Sequence, residues 1–354
     1  MASQVRYYSI PNFRFQDGTA LPVARIAYLY INSSASKLAL IPTCFKGTFH
    51  TTLNFCTGAL RDHRIIVAAQ FGNGESSSPS NTTTSSSPTT DNNNNDNNDN
   101  ASPFPAKIDY RDSVAAQHAL LTQHLGITTP IDVVLGFSLA GQCTYYWAAT
   151  HPSLVQRAVV ICSSARTSGH NRQFLEGPAA ALENAIDFAG RKQVAPAGLA
   201  RGRLECPRGV RAFAKAYSAW LTSAEWYDLE KWRELRYESL AAYDEDATGP
   251  RYKGSFPDDL LAMLRAWQGG DVRSAKARLP LEDVLGRIET PILLMPCRTD
   301  QYFRWEASER EAAMLKNAGL EVIPSVWGHV AGGGMDPEAK AWMDGKIAKF
   351  VEES

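Results

Sequence analysis

Ser138 stands in Val133-Val134-Leu135-Gly136-Phe137-Ser138-Leu139-Ala140-Gly141, an apolar run that passes into a helix-forming stretch. A serine on such a strand-to-helix turn has its hydroxyl thrust above the sheet. The turn presses together the positions two before and two after, so both must be small. Gly136 and Ala140 supply them. The Leu139 amide then lies at a helix N-terminus, where unpaired N–H groups and the dipole favour negative charge. That is half of an oxyanion hole. A serine hydroxyl is a weak nucleophile at neutral pH and needs a base. Of seven histidines, His329 in Val326-Trp327-Gly328-His329-Val330 follows the last strand candidate and precedes the final helix. His50, His63, His118, His124, His151 and His170 sit where surface or packing roles explain them better. A base of this kind needs an acid to fix its tautomer and stabilise its cation. Asp300, in Pro296-Cys297-Arg298-Thr299-Asp300-Gln301, falls just beyond a strand and one strand–helix unit before the histidine. The chemistry expected is acyl transfer through an acyl-serine.

The order Ser138, Asp300, His329 along the chain is the order found in α/β hydrolases, unlike that of the two other common serine-triad folds. The second oxyanion donor should then come from the loop after the third strand, Ile41-Pro42-Thr43-Cys44-Phe45-Lys46-Gly47. The backbone N–H of Phe45 is the expected donor, with that of Cys44 the close alternative. Cys44 as a nucleophile is not favoured, because no neighbouring motif activates its thiol.

These residues require strands that end at one edge of a sheet. Strand candidates are Lys37–Phe45, Arg64–Gln70, Ile131–Phe137, Arg157–Cys162, Pro291–Pro296 and Glu321–Val326. Their Val, Ile and Leu run without strict alternation, as in parallel strands buried on both faces. Helical stretches are Asp112–Leu125, Leu139–Thr150, Glu306–Ala318 and Pro337–Glu352, the last with Asp336 as N-cap and Pro337 at the first helical position. Tyr7–Phe15, Asp17-Gly18 and Ala24–Tyr30 read as an opening hairpin. The pattern predicts an α/β fold with a mostly parallel central sheet flanked by helices.

Between Cys162 and Pro291 the periodicity turns helical, and half of the eight tryptophans lie there (Trp220, Trp226, Trp232, Trp267). The expected organisation is a core over residues 1–165, an inserted helical lid over 166–288, and the rest of the core over 289–354. Arg166, Trp220, Trp226 and Tyr227 are candidate pocket residues. Arg166 would suit an anionic substrate, and a salt bridge anchoring the lid is an equal alternative. Ser76–Ser102 is almost entirely Ser, Thr, Asn, Asp and Pro. With no apolar side chain beyond its prolines between Glu75 and Ala101, it is expected to be a disordered surface insertion (76–102), because nothing offsets the entropy of ordering it.

Thirty-six basic against 37 acidic residues give a net charge of −1. That balance argues against nucleic acid or a polybasic membrane contact, both of which need surplus positive potential. No apolar run approaches the roughly 18–20 residues that cross a bilayer. Six cysteines form no Cys-x-x-Cys pair, and no histidines have zinc-ligand spacing, so neither disulfides, a metal nor a cofactor is expected. The first residues carry no apolar leader and the last no retention or prenylation signal, giving a cytoplasmic expectation. The expected partner is a small-molecule acyl substrate, and a homodimer is left open.

With those residues in place, the sequence resembles the homoserine O-acetyltransferase-like family of α/β hydrolases over nearly its whole length outside the Asn-rich segment. The matching stretches are Asp17-Gly18-Thr19-Ala20-Leu21-Pro22-Val23-Ala24-Arg25-Ile26-Ala27-Tyr28, Phe104-Pro105 with Asp109 and Asp112–Gln117, Gly136–Gln142, and Ser163–Ser168. The resemblance implies a sheet with a helical lid and double displacement, with Ser138 as nucleophile, His329 as general base and acid, and Asp300 as its partner. Two departures stand out. The family's His-Ala-Leu-Thr-Gly-like loop is here Thr43-Cys44-Phe45-Lys46-Gly47, and the acidic residue that follows the family's histidine is Val330. An apolar side chain cannot pair with the ammonium of homoserine, and a buried unpaired charge costs several kcal/mol. The chain therefore looks like a divergent member, similar to hydrolases or acyltransferases of secondary metabolism. Hydrolysis of an ester, thioester or lactone is the favoured expectation. An O-acyltransferase using acyl-CoA and an alcohol other than homoserine is the alternative, and a non-catalytic ligand-binding protein on the same fold is the second.

Overall fold

The computed structural model describes residues 4–82, 104–194, 204–276 and 279–352. Eight strands form one sheet: β1 (Arg6–Arg14), β2 (Ala20–Ile31), β3 (Lys37–Pro42), β4 (His63–Ala68), β5 (Val133–Phe137), β6 (Ala158–Ile161), β7 (Ile292–Met295) and β8 (Ala318–Leu320). Their order across the sheet is β1-β2-β4-β3-β5-β6-β7-β8. The opening hairpin pairs Arg14 with Ala20 around Asp17-Gly18, and β2 runs antiparallel to β4. From β4 to β8 every pairing is parallel. As a result, β3, β5, β6 and β7 all end at one edge.

The apolar runs without alternation are explained by two cores, one on each face. Leu38, Leu40, Val134, Val160 and Leu294 pack into one. Their neighbours Ala39, Ile41, Val133, Leu135, Val159, Ile161, Leu293 and Met295 pack into the other. Burying such a side chain stabilises by roughly 1.5–3 kcal/mol. Strands of this composition therefore belong in the middle of a doubly covered sheet.

The helices are α1 (Tyr110–Ala119), α2 (Leu139–Thr150), α3 (Gly169–Glu183), α4 (Ile186–Val194), α5 (Pro207–Ser218), α6 (Ala224–Asp228), α7 (Leu240–Tyr243), α8 (Pro257–Gln268), α9 (Leu281–Leu285), α10 (Trp305–Met314), α11 (His329–Gly332) and α12 (Pro337–Glu352). Asp109 and Asp112 cap α1 reciprocally, each side chain accepting from the other end's backbone. Asp336 Oδ1 accepts from the Glu338 and Ala339 amides at the start of α12, as its position predicts. Among the described residues, no strand lies between β6 and β7, where α3–α9 form one helical excursion. No described helix is long and apolar enough to cross a membrane.

Two expectations need correction. The strand expected at Glu321–Val326 is instead Ala318–Leu320, paired with Ile292–Leu294, and the helix expected to reach Ala318 accordingly ends at Met314. The pairing continues only irregularly, with the Glu321 and Ile323 amides donating to Leu294 and Pro296. Pro324 has no N–H to extend it. The edge strand itself is too short and too exposed to carry an apolar signature.

The second correction concerns the expected disordered insertion. Its first residues, Ser76–Thr82, belong to the packed structure, and Ser76, Ser77, Ser78 and Ser80 are buried. The Ser76 hydroxyl accepts from the Ala27 amide and donates to the Ala69 carbonyl, while Ser77 bonds Arg25 through side chain and backbone. Short hydroxyl side chains can satisfy a sheet's polar margin without any apolar burial, a route composition does not reveal. Residues 83–102 of that segment lie outside the described residues.

Beneath the loop after β6 sits a buried carboxylic acid. Glu311 on α10 accepts from the Tyr145 hydroxyl (2.7 Å) and the Ala165 amide (2.9 Å). Burial pushes its pKa up to about 7 from an ordinary 4.5. The folded state thus holds this proton more tightly than the unfolded chain. The resulting stability is full below about pH 4.5 and is lost as pH rises through about 7, by on the order of 3 kcal/mol. Glu311→Gln should flatten this decline when urea midpoints at pH 5 and pH 8 are compared with wild type. Parallel profiles would contradict the assignment.

Candidate active site

At the end of β5 the chain turns into α2 through Ser138, whose backbone is forced to φ 60°, ψ −130°. L-residues rarely adopt positive φ, and the cost is borne by the packing around the turn. A Cβ on Gly136 would lie 2.2 Å from the Ala140 carbonyl oxygen, and one on Gly141 would lie 2.4 Å from the Ser163 Cβ. Gly136 is thus required by contact, and Gly141 is a second such position that the small-residue rule alone did not single out.

His329 follows Gly328, itself at φ 62°. A Cβ there would strike the Thr222 backbone at 2.6 Å. This loop is clamped by the residues after α5. The Val330 amide donates to Leu221 O (3.1 Å) and Ser223 Oγ to Val326 O (2.5 Å), while Gln301, beside Asp300 on the acid loop, donates from Nε2 to Thr222 O (3.0 Å). Asp300 is fixed by the Tyr302 and Phe303 amides, which both donate to Oδ1 at 3.0 Å. Its Oδ2 lies 2.7 Å from His329 Nδ1, and His329 Nε2 lies 2.8 Å from Ser138 Oγ. Three side chains 29 and 191 residues apart thus meet in one hydrogen-bonded line. All three are buried, where low dielectric strengthens each charge interaction.

The Leu139 amide opens α2, one of the N-terminal donors a helix cannot satisfy internally. The loop after β3 carries Phe45. Lys46 adopts φ 51°, and the Gly47 amide donates to Cys44 O (3.0 Å), closing a tight turn. The Phe45 ring stacks on Phe213 and Tyr217 of α5 and tilts against Trp267 of α8. The Cys44 thiol is pushed up to about 11 by burial, which keeps it protonated at neutral pH. Aromatic rings also enclose the histidine, with Tyr302 at 4.3 Å, Phe137 at 4.8 Å and Phe303 at 5.6 Å between centroids.

Cys162, Asp300 and His329 are the one grouping among the described residues whose ligand atoms approach within 4.8 Å of one another. Burial holds the Cys162 thiol well above its ordinary value, and a protonated thiol is a poor metal ligand. The other two members are engaged with each other. The grouping fits a hydrogen-bonded pair beside a buried thiol better than a metal site.

The remaining candidates are placed differently. Trp226 is fully buried against Tyr227, Trp232, Tyr243 and Trp327, a packing position. Tyr227 is half-buried on the same cluster. Arg166 pairs with Asp271 at 3.5 Å, both within the span 166–288, and it also borders a cleft of about 190 Å³ with Tyr302 and Phe303. Trp220 packs on Phe174 and His170 and borders a surface cleft that reaches Asp300. Neither tryptophan reaches the Ser138–His329 pair through a ring contact.

A family model described as alpha/beta hydrolase fold matches residues 46–204. An ethyl acetate hydrolase of Pseudomonas veronii is 30% identical over 344 residues, covering 95% of this chain and 92% of that relative. The chain belongs to the α/β hydrolase fold family. Within it, the solved structure of the acetyl esterase MekB superposes with a TM-score of 0.85 at 28% identity, covering 99% of this chain and 97% of that one. A homoserine O-acetyltransferase of Trichormus variabilis is 25% identical over 232 residues, covering 64% and 61%. This α/β hydrolase is therefore a divergent relative of the acetyltransferases, with greater likeness to esterases.

Gly136→Ala should overpack the Ser138 turn against a backbone oxygen that cannot move away. The expected loss is on the order of 3 kcal/mol, read as a lowered urea midpoint. An unchanged midpoint would show that the turn is not held as described.

Proposed function

We propose that the protein is an ester hydrolase of short acyl groups acting through an acyl-enzyme at Ser138. The observation that carries this is the unbroken line Ser138 Oγ–His329 Nε2–His329 Nδ1–Asp300 Oδ2 on a strained strand-to-helix turn. His329 takes the Ser138 proton as the oxygen attacks the ester carbonyl. Asp300, held by two amides, fixes the imidazole tautomer and stabilises the cation that forms. The Leu139 and Phe45 amides receive the developing oxyanion, preorganised so that no reorientation is needed during reaction. His329 then protonates the departing alkoxide, and water, activated by the same imidazole, releases the acid. No cofactor enters this cycle.

The rings of Phe137, Tyr302 and Phe303 around His329 favour a small acyl group over a long one. The likeness to an ethyl acetate hydrolase and an acetyl esterase supports the same reading. Water is the favoured acceptor because Val330 follows His329 and offers no charge to an amino-acid acceptor. A cytoplasmic setting is part of the reading, supported by six cysteines that are all free thiols.

A fluorophosphonate probe should label the wild type, and Ser138→Ala should lose both labelling and p-nitrophenyl acetate hydrolysis. Retained turnover in that variant would remove the proposal. Asp300→Asn should lower kcat by about 10⁴-fold, as loss of the correct tautomer does elsewhere. Along p-nitrophenyl acetate, butyrate and octanoate, kcat/KM should fall, and a rise toward octanoate would contradict the small acyl site. CoA release from acetyl-CoA that depends on an added alcohol would replace water by an alcohol acceptor.

A further inference from the structure

The loop that carries Phe45 does not hold its own shape. Lys46 is a non-glycine residue at φ 51°, and a Cβ on Gly47 would lie 2.4 Å from Cys44 Sγ. A turn this tight in an L-residue persists only where its surroundings over-determine it. The determinant here is Asn73, which is buried and lies between β4 and the Ser-rich segment. Its Oδ1 accepts from the Lys46 amide at 2.9 Å, and its Nδ2 donates to Gly47 O at 2.9 Å and, at 3.5 Å, to Thr43 Oγ1. One amide side chain thus grips both flanks of the turn directly after Phe45. Gln70, also buried, donates from Nε2 to Thr43 O at 2.6 Å and so fixes the entry to the loop.

The coil from Gly74 to Thr82 holds Asn73 in turn. The Gly74 amide donates to Ser78 Oγ (2.7 Å), and Asn81 Nδ2 donates to Gly74 O (3.0 Å) and Ser76 O (2.9 Å). Ser76 and Ser77 tie this coil to β2. At its far end, Ser80 Oγ donates to Asp259 Oδ2 (2.6 Å) and the Ser80 amide to Asp259 Oδ1 (3.0 Å). Asp259 lies on α8, the helix that carries Trp267 against the Phe45 ring. The coil therefore meets the Phe45 turn from behind, while the helix at its other end holds the Phe45 side chain.

We infer that Asn73–Thr82 is a positioning element for the oxyanion loop, with Asn73 as its working end and the Ser80–Asp259 contact as its anchor on the helical excursion. The inference rests on the proposed role of the Phe45 amide. Asn73 touches no substrate, and it acts by fixing where that amide points. Because the oxyanion exists only once the carbonyl has been attacked, a displaced donor costs the chemical step and spares ground-state binding.

For p-nitrophenyl acetate, Asn73→Ala should lower kcat on the order of 10- to 100-fold, less than the 10²–10³ of deleting an oxyanion donor outright, with KM within about threefold. A methyl trifluoromethyl ketone, which forms a tetrahedral oxyanion adduct, should bind more weakly by the same factor. Acetamide, a planar analogue, should inhibit as in wild type. Should Asn73→Ala fail to fold, Ser80→Ala and Asp259→Ala test the anchor, each with a smaller kcat loss of about 3- to 10-fold. Where Asn73→Ala folds, combining it with Asp259→Ala should give less than the product of the single effects, since both act on one unit. Wild-type kcat in these variants, or weakened acetamide binding with unchanged ketone affinity, would overturn the inference. Ser138→Ala separates the two levels. If it is inactive while Asn73→Ala is normal, only the positioning role fails; if it is active, the reading beneath it fails.

Discussion

The constraint on which the rest depends is the backbone of one residue. Ser138 sits at positive φ between a buried strand and a helix, and that conformation sets its hydroxyl within 2.8 Å of His329 Nε2. The surroundings are arranged to leave no other conformation available. Gly136 and Gly141 let the turn close against Ala140 and Ser163, and β5 is held between β3 and β6 by parallel pairing. Strain in this site is confined by a rigid sheet, as expected where function opposes local preference.

The same logic recurs at each of the loops that meet Ser138. The histidine loop begins at a glycine with positive φ and is clamped by Leu221 and Ser223. The acid loop is tied by two amides to the carboxylate it presents. The Phe45 loop contains the left-handed Lys46 and is gripped from outside by Asn73. The helical excursion supplies a backbone acceptor and a hydroxyl donor to the histidine loop and aromatic rings to the Phe45 loop. Its packing and the geometry of the line Ser138–His329–Asp300 are parts of one arrangement.

Much of this was legible from sequence because it obeys short-range rules. The apolar runs of β3 to β7, the span of α2, and the order of Ser138, Asp300 and His329 all report local pattern or spacing past a strand end. What escaped has a common physical character. β8 is a short exposed edge strand whose position is set by its partner, so its composition says little. The roles of Asn73 and Ser76–Ser80 depend on hydrogen bonds between polar side chains and distant backbone. Hydropathy reads those serines as unable to order, and only their register against Arg25, Ala27 and Asp259 shows otherwise. Trp226 illustrates the converse, since an aromatic side chain inside a helical insertion has the same signature in a core as in a pocket. The local hint at Asn73 is Gly72-Asn73-Gly74, an amide between two flexible residues just past a strand end, but nothing nearby in the sequence identifies its partner.

The most direct test of the central claim is acid quenching of the enzyme during steady turnover of p-nitrophenyl acetate, with mass spectrometry of its peptides. Acyl transfer through Ser138 predicts one acetyl group on the peptide containing that residue, formed in the first turnover and lost as substrate is exhausted. An unmodified Ser138 peptide throughout turnover, with acetyl carried by another residue such as Cys44, would contradict it.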